Sequence, residues 1–109
     1  MDGITELFEL SKRLDELIKK CAKASVEFAT AEREYKIALS QATLKLRSQE
    51  YPVTIIPYVV KGIGDVADKR FKRDVAEANY WTANKEYDSL KLQITLLDRQ
   101  VSREWNNER

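Results

Sequence analysis

From Thr5 to Gln49 the chain contains neither glycine nor proline, and along this stretch apolar and small side chains recur every seven positions. Leu7, Leu14, Cys21, Phe28, Tyr35 and Ala42 form one row, and Leu10, Leu17, Ala24, Ala31 and Ala38 form a second. Alternating steps of three and four residues place both rows on one side of an α-helix, whereas a strand would scatter them over two faces. Only Lys45 breaks the second row. A third row, Ile4, Ile18, Leu39 and Leu46, widens the stripe beyond the seam of a strict two-stranded zipper and favours a bundle helix.

A second uninterrupted block begins at Asp65, which reads as an N-cap after Gly64. Its rows are Tyr80, Tyr87, Ile94, Val101 and Ala76, Ala83, Leu90, Leu97. The two blocks predict an all-α fold: a long antiparallel two-helix hairpin, one domain, with helices over about 5–49 and 65–107 and a connection over about 50–64. Folding back sets the alanines of the first helix against the tyrosines of the second, small facing large. Phe71, Val75, Ala78, Leu92 and Leu96 fall on the opposite side of the second helix, where a lone hairpin would leave them wet. Large apolar side chains are each worth about 1.5–3 kcal/mol when buried, so self-association into a homodimer, four-helix bundle or coiled-coil assembly is expected.

The connection, EYPVTIIPYVVKGIG, is long and apolar for a helix reversal, which usually takes about 2–5 residues. Pro52 and Pro57 forbid a continuous helix, and the β-branched residues between and after them predict short edge strands. Such a segment is either a plug over the end of the bundle or a surface for a protein partner. Ile55, Ile56, Tyr58 and Val59 are the candidate partner-binding residues.

Composition narrows the chemistry. There is no histidine, so the commonest acid-base group and metal ligand are missing, and the single cysteine, Cys21, lies on the apolar seam. No cofactor, metal or catalytic residue is expected, and the chain reads as non-enzymatic. A metal-dependent nucleotide hydrolase is a third-ranked reading, resting on Glu6-x-x-Glu9 and Asp65-x-x-Asp68, where paired carboxylates share a helix face. Nucleic-acid binding is the alternative to protein binding. Lys69, Arg70, Lys72 and Arg73 form one basic cluster and Lys12, Arg13, Lys19, Lys20 and Lys23 another, with Tyr58 and Trp81 able to stack on bases. Against it, 19 Lys and Arg balance 18 Asp and Glu, leaving a net charge of +1 and no overall attraction for phosphate. No apolar run reaches the ~20 residues of a membrane span, and the first residues lack the basic start of a signal peptide. A soluble cytoplasmic protein is therefore expected.

The stretch PVTIIPYVVKGIGDVADKRFKRDVAEANYW, from Pro52 to Trp81, resembles small early-region accessory proteins of phages and prophages of Gram-positive bacteria. The resemblance covers the connection and much of the second helix and brings no catalytic motif. It implies a phage-type accessory protein at work in the host cytoplasm, in the company of DNA-metabolism proteins.

Overall fold

The structure, a computed structural model, describes residues 2–107. They form two long helices, α1 (Asp2–Ser48) and α3 (Gly64–Asn107), joined through a short helix α2 (Ile56–Val59) and one 3-10 turn (Val60–Gly62). The all-α expectation holds, and no strand occurs among the described residues. Both seven-residue rows of α1 and both rows of α3 are buried or half-buried along their lengths. The third row divides: Leu39 and Leu46 turn inward, while Ile4 and Ile18 are exposed.

Packing divides the chain into two units. The first joins Met1–Lys23 to Tyr80–Arg109. Leu10, Ala83 and Leu90 are its buried residues. A Cβ added at Gly3 would lie 2.8 Å from Val101 Cγ2, so the first turn of α1 passes α3 at a distance suited to glycine. Lys20 Nζ meets Glu86 Oε2 at 3.1 Å, and with the approach of Gly3 to Val101 this pair shows the segments to be antiparallel. As an exposed ion pair it contributes about 0–1 kcal/mol, leaving apolar burial to hold the unit.

The second unit, Ala24–Asn79, contains the connection and the main core cluster: Ala38, Leu46, Ile56, Val60 and Val66, with Tyr35, Leu39, Ala42 and Ile63 packed against it. α1 stops where the Tyr51 N–H donates to the Leu46 carbonyl (3.2 Å) and the Glu50 N–H to the Arg47 carbonyl (3.1 Å). This paired closure needs a left-handed residue, and Glu50 supplies it with φ 64°. Glycine is the usual occupant, because a side chain strains that conformation.

The expected edge strands do not form. Ile56, Val60 and Ile63 are spaced by four and three residues, so one helical side carries all three into the core. Burial of that side outweighs the extended preference of β-branched residues. Pro57 assists, since it stands in the first turn of α2, where a missing N–H leaves no hydrogen bond unmade. The Ile55 carbonyl accepts from the Tyr58 and Val59 amides, both at 3.0 Å. α3 likewise starts one residue earlier than expected. The Ile63 carbonyl accepts from the Ala67 N–H at 2.9 Å, and Asp65 lies within the first turn instead of capping it, its carboxylate favoured there by the helix dipole.

Relieving the strain at the end of α1 tests this geometry. Glu50→Gly should raise stability by about 0.5–1 kcal/mol, the left-handed penalty of about 1–2 kcal/mol being partly offset by glycine's larger loss of backbone freedom. Urea unfolding measures it, and an unchanged or lower midpoint would contradict the left-handed turn.

Candidate interaction surfaces

The connection is both anchored and exposed. Ile56, at 4% exposure, and Val60, at 2%, fasten it to the core of the second unit. Between them the helical turn points Tyr58 (78% exposed) and Val59 outward, and Ile55 and Val53 (74%) are exposed before it. The four candidate partner contacts therefore separate by the period of the turn. Ile56 is a core residue, out of reach of a partner, whereas Ile55, Tyr58 and Val59 are presented to solvent. Val53 and Tyr51 belong with them, and their place in a long apolar loop was the available signal.

The basic cluster of α3 is dispersed by the helix. Arg70 and Lys72 are exposed and Lys69 is half-buried, but Arg73 continues the row of Val66 and Tyr80 into the seam. Its guanidinium meets three carboxylates: Asp74 Oδ1 at 3.1 Å from Nη1, Glu77 Oε2 at 3.4 Å from Nη2, and Glu32 Oε1, across the seam, at 4.0 Å from Nε. Glu32 also lies 3.8 Å from Lys36 Nζ. Arg73 Nε is buried without a hydrogen-bond partner. Three carboxylates around one guanidinium repel a phosphate, so Arg73 serves packing and register between the helices of this unit.

In the first unit, α1 and α3 border an open hollow of about 570 Å³ in which Arg13 and Lys20 of the other basic cluster are joined by Lys85. Lys85 escaped the sequence reading because 65 residues separate it from Lys20. Glu16 and Glu86 line the same hollow, so three cations share it with two carboxylates.

Cys21 is half-buried with a free thiol. Glu6, Glu9, Asp65 and Asp68 are all exposed, and among the described residues no group of three histidine, cysteine or acidic side chains is placed to hold a metal ion. No helix among them is long and apolar enough to cross a membrane.

The most extensive feature is apolar surface. On the outer side of α3, Phe71 (69% exposed), Val75, Ala78, Leu92 and Leu96 face solvent, as their spacing predicts. The second unit also carries a face that the sequence did not reveal: Val26, Ile37 and Leu44 on the outer side of α1. Steps of eleven and seven residues bring these three into one line, since eleven residues nearly complete three turns.

Compared with known proteins, the chain matches no family model, no curated protein and no solved structure.

Charge placed at neighbouring positions of α2 should separate anchor from surface. Ile56→Asp should lower stability by about 3 kcal/mol or more, because an unpaired carboxylate enters the core, whereas Tyr58→Asp should change it by no more than about 0.5 kcal/mol. Thermal denaturation of both variants makes the comparison. Equal losses would mean that Tyr58 is buried too.

Proposed function

We propose that this chain is a non-enzymatic helical interaction protein that self-associates through its outer helix faces and takes a protein partner on its connection. The observation that carries the reading is the construction of the connection. Ile56 and Val60 hold it in a fixed turn while Val53, Ile55, Tyr58 and Val59 stand in solvent. A preorganised apolar surface binds without the cost of ordering a loop, and an aromatic side chain such as Tyr58 is a common anchor of such a contact. A simple reversal between helices would need none of these side chains.

The resemblance over Pro52–Trp81 extends the proposal to a phage-type accessory protein in the host cytoplasm, with a protein of DNA metabolism as the partner class. Protein binding is preferred over nucleic acid because Arg73 is engaged by three carboxylates and the hollow at Lys85 mixes both signs of charge.

Tyr58→Asp tests the reading in a pull-down from lysate of a Gram-positive host, with helicity checked by circular dichroism. The wild-type chain should retain a discrete protein that resists nuclease treatment, and Tyr58→Asp should lose it while remaining fully helical. Retention by both proteins, or a capture that disappears with nuclease and falls steeply with salt, would overturn the proposal in favour of another surface or of nucleic acid.

A further inference from the structure

We draw no further inference here: the strongest candidate, the exposed apolar patch that Phe71 and Val75 form on the outer side of α3, has charges of both signs beside it in Asp68, Arg70 and Lys72, and nothing in the structure shows what covers it.

Discussion

Two helices laid side by side can each bury one stripe. In this chain that stripe is the pair of seven-residue rows, and the rest follows from how little it can hide. Alanines occupy many positions on the α1 side of the seam, Ala24 and Ala38 being buried. They allow close approach but contribute little apolar area each. The larger side chains are distributed outside as much as inside: Phe8, Val26, Leu44, Phe71, Trp81, Leu92 and Trp105 are all more than half exposed. That much exposed apolar surface is the physical reason behind the proposed self-association.

The connection solves a different problem within the same constraint. The end of a two-helix unit has no third helix to close it, and the main core cluster lies there, where Ile56, Val60 and Val66 supply what the seam lacks. Anchoring by one side of a short helical turn necessarily directs the other side outward. Plug and surface are thus two sides of one turn, divided by residue: Ile56 and Val60 seal the core, while Tyr58 and Val59 face solvent.

The rows of α1 and α3 were legible in the sequence because period and burial agree. The connection was misread because local propensity and tertiary burial point in opposite directions there. Its β-branched residues favour strand, yet the spacing of Ile56, Val60 and Ile63 is helical and the core selects it. Arg73 was read as part of a charged surface although it stands seven residues from both Val66 and Tyr80, because a charged side chain masks a seam position from any pattern built on apolar residues. The outer face of α1 went unseen for a similar reason. Val26, Ile37 and Leu44 are too sparse to form a row.

Arg73 carries an unpartnered Nε within the seam, a cost that a leucine there would not carry. Glu32 lies 4.0 Å from that Nε, too far for a hydrogen bond, and the pair marks the height at which the helices of the second unit pass each other. The central claim, that the chain self-associates through its outer helix faces, is tested most directly by the dependence of thermal stability on protein concentration. If folding and association are coupled, the unfolding midpoint should rise by several degrees over roughly a hundred-fold increase in concentration. A midpoint that stays constant across that range would contradict the account, because it would show the isolated chain to be stable with its apolar faces in water.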